Sequence, residues 1–241
     1  MAVKTVQHEG ETFRVAYEIR HPQAERTMVV LHGWGSDKAL MMQAFEGAFG
    51  QWRQIYVDLP GFGKSDNPAV LYTRDYAAIV AGLLEALEVR PEVAVGHSFG
   101  GKVATLLAPP KLVLLSSAGI VLPKPLSVRA KIALFKALKP FGGGKLRRFF
   151  ASSDATGMPQ NMYETFKNVV DEDFSDIFGA YRGEALLCWG AEDTATPPEA
   201  GRRIAELIPE AKLRFFEGDH YFFLHNPRPV IAEMEAFFET V

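Results

Sequence analysis

The stretch Val93-Ala94-Val95-Gly96-His97-Ser98-Phe99-Gly100-Gly101-Lys102-Val103-Ala104 constrains the fold more than any other part of this chain. It opens as a short apolar run suited to a buried strand and closes as the start of a helix. Gly96-His97-Ser98-Phe99-Gly100 lies between the two. A serine in a G-x-S-x-G pattern at such a junction sits on a sharp, strained turn with its hydroxyl exposed. A β-carbon at either flanking glycine would collide with the neighbouring strand or helix. The helix start beneath Ser98 also aims backbone N–H groups at negative charge developing there. Glycine and serine are common, so the pattern alone marks a candidate nucleophile against the alternative of a plain turn.

Strands and helices alternate around that stretch. Residues 12–19 alternate apolar and polar, as in a half-buried strand near a sheet edge. Apolar runs at residues 27–31, 54–57, 111–116, 185–189 and 212–216 predict further strands, the continuous ones covered on both faces. Helical spacing runs through Leu40, Met41, Ala44, Phe45 and Ala48 over residues 38–49. It recurs through Tyr76, Ile79, Val80, Leu83, Leu84 and Leu87 over residues 74–87. Residues 198–207, opened by prolines, and 229–238 supply two more helices. Such alternation predicts an α/β chain with a mostly parallel central sheet and helices on both faces. Only residues 121–179 break the rhythm. They carry no convincing strand, and Pro123, Pro125, Pro140 and Gly142-Gly143-Gly144 cut them into short helices. The expectation is a helical cap inserted into a core domain made of residues 1–120 and 180–241.

Bulk properties narrow the function by exclusion. A length of 241 residues, 48% hydrophobic, with a formal net charge of -3, describes an ordinary soluble globular chain. No basic or aromatic-studded pattern suggests nucleic acid. No apolar run approaches the roughly 20 residues of a membrane span, and the polar N-terminal residues do not resemble a signal peptide. The single cysteine, Cys188, lies in an apolar run and cannot form an internal disulfide, which fits a buried strand residue in a reducing cytoplasm. No His, Cys and carboxylate cluster has metal-ligand spacing, so neither metal nor cofactor is expected.

In open α/β sheets, ligands bind outside the carboxyl ends of the strands. Four polar signals fall at such ends: His32-Gly33-Trp34-Gly35, Ser98, Asp193 and His220. A serine hydroxyl needs a base to act as a nucleophile near neutral pH. The base needs a carboxylate to fix its tautomer and stabilise the imidazolium. The chain order Ser, Asp, His is the one this architecture requires.

With these residues in view, the chain resembles the α/β-hydrolase-fold enzymes over nearly all of its length outside the cap. The motifs carrying the resemblance are His32-Gly33-Trp34-Gly35, Asp58-Leu59-Pro60-Gly61-Phe62-Gly63-Lys64-Ser65, Gly96-His97-Ser98-Phe99-Gly100-Gly101, Trp189-Gly190-Ala191-Glu192-Asp193 with Pro197, and Gly218-Asp219-His220 with Pro227. The resemblance implies Ser98 as nucleophile, Asp193 as acid and His220 as base. The oxyanion hole would be the backbone N–H groups of Trp34 and Phe99. Glu192, Asp58 and Asp219 compete for the acid, and His225 for the base. The family's proline seven residues after the base matches Pro227 with His220. His32 and His97 flank the site as structural side chains, and His8 and His21 read as solvated surface residues. One departure from the family is a short helix after Ser98, ended by Ala108-Pro109-Pro110.

The cap is one-sided in charge. Residues 121–153 carry eight basic side chains, among them Arg147 and Arg148, and no acidic one. They form either a solvated face or a dock for an acidic partner. Leu134, Phe149, Phe150 and Met158 would roof the substrate pocket. The leading expectation is a serine hydrolase of carboxylic esters, acting on a small-molecule ester that is free or borne on a carrier protein. Partners would include neither nucleic acid nor membrane, and the state would be monomer or homodimer. The motifs around Trp34 and Asp58 are also similar to those of pimeloyl-carrier-protein methyl ester esterases. Two alternatives stand beside this: a carbon–carbon bond hydrolase of the meta-cleavage type with the same triad, and a hydrolase-like binding protein.

Overall fold

The computed structural model describes residues 1–122 and 158–239. Eight strands form one sheet in the order β1-β2-β4-β3-β5-β6-β7-β8. The strands are β1 (Ala2–His8), β2 (Glu11–Arg20), β3 (Arg26–Leu31), β4 (Trp52–Val57), β5 (Val93–His97), β6 (Lys111–Leu115), β7 (Glu184–Gly190) and β8 (Ala211–Phe216). Strand β2 pairs antiparallel with both β1 and β4, and every other pairing is parallel. The described helices are α1 (Lys38–Phe45), α2 (Thr73–Ala86), α3 (Phe99–Leu106), α4 (Gln160–Val169), α5 (Ser175–Ala180), α6 (Pro198–Leu207), α7 (Phe222–His225) and α8 (Pro227–Glu239).

The period-2 alternation of the strands divides the core into two layers. Val29, Leu31, Ile55, Val57, Leu112, Leu114, Leu187 and Trp189 face one side, packed with α2, α3 and α6. Met28, Val30, Tyr56, Val93, Val95, Val113, Leu115, Leu186 and Cys188 face the other, packed with α1, α7 and α8. Both faces of the central strands are therefore dry, which is why their buried stretches, such as residues 28–31 and 112–115, are apolar without interruption.

The sheet departs from the sequence expectation at its N-terminal edge. Residues 12–19 predict a strand near the edge, but β2 is second and the unpredicted β1 lies outside it. Only Val6 of β1 is fully buried, so the strand carries almost no apolar alternation. The turn that folds it back is Glu9-Gly10, both with positive φ (47° and 85°), the backbone twist that suits a tight hairpin. Helix α1 is shorter than its apolar spacing predicts. Gly47 follows its last turn and Phe49 takes a left-handed φ of 53°, so the chain turns into β4. Helix α7 was not anticipated either.

Between β6 and β7 the described residues include two helices, α4 and α5, and no strand. Leu134, Phe149, Phe150, Arg147 and Arg148 lie outside the described residues. The short helix expected after Ser98 is present: α3 ends at Leu106, and Ala108 takes a left-handed φ of 49°.

Candidate active site

Ser98 sits between β5 and α3 with φ 51° and ψ −117°, a strained conformation for a residue with a side chain. The surroundings force it. A β-carbon on Gly96 would lie 2.6 Å from Gly101 Cα, and one on Gly100 would lie 2.7 Å from the Leu31 carbonyl oxygen. Strand and helix can approach this closely only because both positions are glycine. The turn is tied to β6, since Ser98 N–H donates to Leu115 O (3.1 Å) and Ala118 N–H to Ser98 O (3.0 Å). Phe99 is the first residue of α3, and its N–H belongs to the turn of donors that a helix leaves without internal partners.

Trp34 stands on the facing loop, in a turn closed by Ser36 N–H donating to Gly33 O (3.3 Å), with Gly35 at φ 74°. Two buried groups hold this loop. His32 Nε2 accepts from Leu59 N–H (2.9 Å), so its Nδ1 carries the proton and donates to Gly33 O (2.8 Å). Burial pushes the His32 pKa down, which keeps the ring neutral for this pair of bonds. Asp58 accepts from Lys38 N–H (2.8 Å), Lys38 Nζ (2.6 Å) and Lys64 N–H (2.9 Å). The motif around Asp58 thus fastens the start of α1 and the 58–65 turn. Among the described hydrogen bonds none joins the Asp58 carboxylate to a histidine.

Asp193 and His220 come together. His220 Nδ1 donates to Asp193 Oδ2 at 2.7 Å, and the carboxylate is fully buried. Its other oxygen accepts from Ala195 N–H (2.8 Å) and Thr196 N–H (2.9 Å). The Thr196 hydroxyl donates to Oδ2 (2.8 Å) and also lies 3.0 Å from Ser116 O and 3.3 Å from His220 Nδ1. Burial acts to raise the Asp193 pKa. The hydrogen bond and charge of His220, with bonds from Thr196 N–H and Ser116, outweigh it and hold the carboxyl at about 2. The rival pair lies elsewhere: Asp219 and His225 are exposed and 3.5 Å apart, and Asp219 Oδ1 also accepts from Tyr221 N–H. Glu192 is exposed. Among the described hydrogen bonds none joins Ser98 Oγ to His220; such bonds often tighten only when substrate binds.

Helix α4 borders this region. Phe166 packs on Trp34 (ring centroids 5.4 Å apart), and Trp34 also touches Phe62 (4.8 Å) and Phe99 (5.5 Å). Met158 is half-buried on the approach to α4. Below, the buried Lys102 of α3 donates to Val169 O and pairs with Glu172 Oε2, both at 2.8 Å, and Thr73 Oγ1 donates to the same carboxylate. Lys102, Lys38, Phe166 and Thr196 were not singled out in the sequence. Thr196-Pro197 ahead of a helix was the one local signal available, and the other partners are distant in sequence. His8 is a correction. It is not a free surface residue but pairs with Asp75 (3.0 Å), and with Glu9 the three offer ligand atoms within 4.8 Å of one another.

Comparison with known proteins adds the family. A model described as the Alpha/beta hydrolase family matches residues 28–233. A pimeloyl-[acyl-carrier protein] methyl ester esterase of Chromobacterium violaceum is 29% identical, over 88% of this chain and 94% of its own. A 2-hydroxy-6-oxononadienedioate/2-hydroxy-6-oxononatrienedioate hydrolase of Burkholderia vietnamiensis is 27% identical, over 88% of this chain and 85% of its own. A thermophilic esterase from Thermogutta terrifontis superposes with a TM-score of 0.73 over 99% of this chain and 98% of that one. At 19% identity that likeness concerns the fold alone. With the sheet order, the turn at Ser98 and a family match across most of its length, this chain belongs to the alpha/beta hydrolase family.

Proposed function

We propose that this chain is a serine hydrolase of carboxylic esters, with Ser98 as nucleophile, His220 as base and Asp193 as acid. The observation that carries the reading is the 2.7 Å bond from His220 Nδ1 to buried Asp193. It commits Nδ1 as donor and leaves Nε2 as the imidazole's free base. Ser98 Oγ attacks the ester carbonyl carbon while His220 Nε2 takes its proton. The oxyanion is held by the N–H groups of Phe99 and Trp34. The carbonyl re-forms as the C–O bond breaks, and His220 returns the proton to the departing alkoxide. Water then repeats the sequence on the acyl-serine, releasing the acid and Ser98. No step needs a metal or a cofactor.

Residues 121–179 form the cap in this reading. Phe166 supports it, since it reaches Trp34 from α4. Met158 enters as a pocket residue with Leu134, Phe149 and Phe150, the last three by sequence only. The substrate is a small ester, free or carrier-borne; the relative from Chromobacterium violaceum supports the carrier-borne form. Among the described residues no helix is long and apolar enough to cross a membrane. The relative from Burkholderia vietnamiensis supports a second reading, carbon–carbon bond hydrolysis by the same three residues.

A substrate pair separates the two. Stopped-flow hydrolysis of a p-nitrophenyl ester should give a burst of nitrophenol equal to the enzyme concentration, followed by slower turnover. A vinylogous 1,5-diketone should turn over at least a hundredfold more slowly in kcat/KM. The reverse preference would make the second reading the correct one, and no turnover of either would contradict both.

A further inference from the structure

His97 precedes Ser98 at the end of β5 and has no part in the chemistry above. Its side chain is buried, with a relative exposure of 1%. Nε2 lies 3.1 Å from the His220 carbonyl oxygen. A carbonyl oxygen only accepts, so the proton sits on Nε2 and is donated to it. Nδ1 is then a bare lone pair, and it has no hydrogen-bond partner among the described residues.

The ring is wedged in place. Its centroid lies 4.6 Å from that of His220, 5.2 Å from Tyr221 and 4.9 Å from Phe223. On another side is Gly33, where a β-carbon would come within 3.0 Å of His97 Nδ1 and 3.1 Å of Ser98 Cβ. Burial, and after it the charge of His220, pushes the His97 pKa down to about 3; the other ionisable groups bearing on it are Asp193 and His32. A neutral ring keeps its one donor fixed even when His220 is protonated beside it.

A purely space-filling role would be better served by phenylalanine. Burying an imidazole with one nitrogen unsatisfied costs stability that a phenyl ring in the same place would not. What the imidazole supplies in return is a bond to the peptide of His220. Asp193 fixes the ring of His220, but nothing in that bond fixes the backbone that carries it. We propose that His97 is a positioning residue whose Nε2–H holds the His220 peptide against the Ser98 turn, setting where the base stands relative to the nucleophile. The proposal rests on the reading of Ser98 and His220 as nucleophile and base.

Two substitutions separate this role from packing. His97→Phe keeps a planar ring and removes the donor; His97→Gln loses the ring and can place an amide N–H near the Nε2 position. Packing predicts that Phe is the milder change, and the tether predicts that Gln is. In steady-state ester hydrolysis His97→Phe should lower kcat by about tenfold, with KM within about twofold, the size expected for one positioning bond. His97→Gln should stay within about threefold of wild type. Amide hydrogen exchange read by mass spectrometry should speed up in residues 218–222 of His97→Phe and not of His97→Gln. If His97→Phe does not fold, His97→Leu takes its place with the same expectations. Wild-type kcat in the Phe variant, or equal damage from Gln and Phe, overturns the proposal. If the wild type has no esterase activity, the proposed function fails separately, and unchanged exchange in His97→Phe still overturns the tether.

Discussion

Asp58 and Asp193 both follow parallel strands at their carboxyl ends, and both side chains are fully buried. Their partners differ. Among the described residues, Asp58 accepts from groups fixed by the fold: the N–H groups of Lys38 and Lys64 and the ammonium of Lys38. Asp193 turns one oxygen to the backbone at Ala195 and Thr196 and offers the other to an imidazole. Both arrangements stabilise a buried charge. Only the second couples the charge to an imidazole, a side chain with a second ring nitrogen left to act as a base. Burial and position at a strand end therefore do not distinguish these two carboxylates; the nature of the partner does.

Substitutions at the two sites should have opposite signatures. Asp193→Asn should lower kcat for ester hydrolysis by roughly 10⁴-fold, because an amide favours the wrong imidazole tautomer, while the chain stays folded. A loss below tenfold would remove Asp193 from the mechanism. Asp58→Asn should act on the fold. It leaves the Lys38 ammonium buried without its counter-charge, which costs about 3 kcal/mol of unfolding free energy by urea titration. Turnover per folded molecule should stay within about tenfold. If Asp58→Asn lowers kcat as far as Asp193→Asn does, the contrast between the two carboxylates collapses.

Smaller effects sharpen the same contrast. Thr196→Val removes the hydroxyl that shares Asp193 Oδ2 with His220 and should lower kcat by about tenfold. A rise in KM with kcat unchanged would instead point to a substrate contact. The acid limb of stability carries a signature of Asp193. Its folded pKa of about 2 lies below the ordinary 3.8, so the unfolded chain binds the proton more readily. This contribution is complete above 3.8 and is lost as pH falls toward 2. Wild type should therefore lose stability more steeply than Asp193→Asn across that window, as read by urea unfolding. His225→Ala should change kcat by less than about twofold, since that side chain is exposed and its described ion pair is with the equally exposed Asp219. A severe loss there would move the base to His225.

The comparison also shows what a sequence exposes. The central strands were legible because a strand covered on both faces must be apolar throughout, as residues 28–31 and 112–115 are. Strand β1 was not, because an edge strand with one buried residue has no such pattern. At the site, Ser98 was legible from glycines that the close approach of strand and helix demands. Asp193 and His220 were legible from their order and strand-end placement, and the structure brings them within a hydrogen bond. The partners of Asp58 were not, since nothing near Lys38 announces a buried lysine facing a loop 20 residues away. Pairings such as Lys102 with Glu172, or His8 with Asp75, exist only once the sheet order is set. The local devices were readable, and the long-range ties that hold them were not.

The central claim is that Ser98 is a nucleophile activated by the His220–Asp193 pair. The most direct measurement is intact-mass and peptide mapping of the purified protein after brief exposure to a fluorophosphonate. The account predicts one adduct per chain, on Ser98, in the wild type. His220→Ala should label at least a hundredfold more slowly and Ser98→Ala not at all. Labelling that lands on another residue, or that proceeds equally fast in His220→Ala, would contradict it.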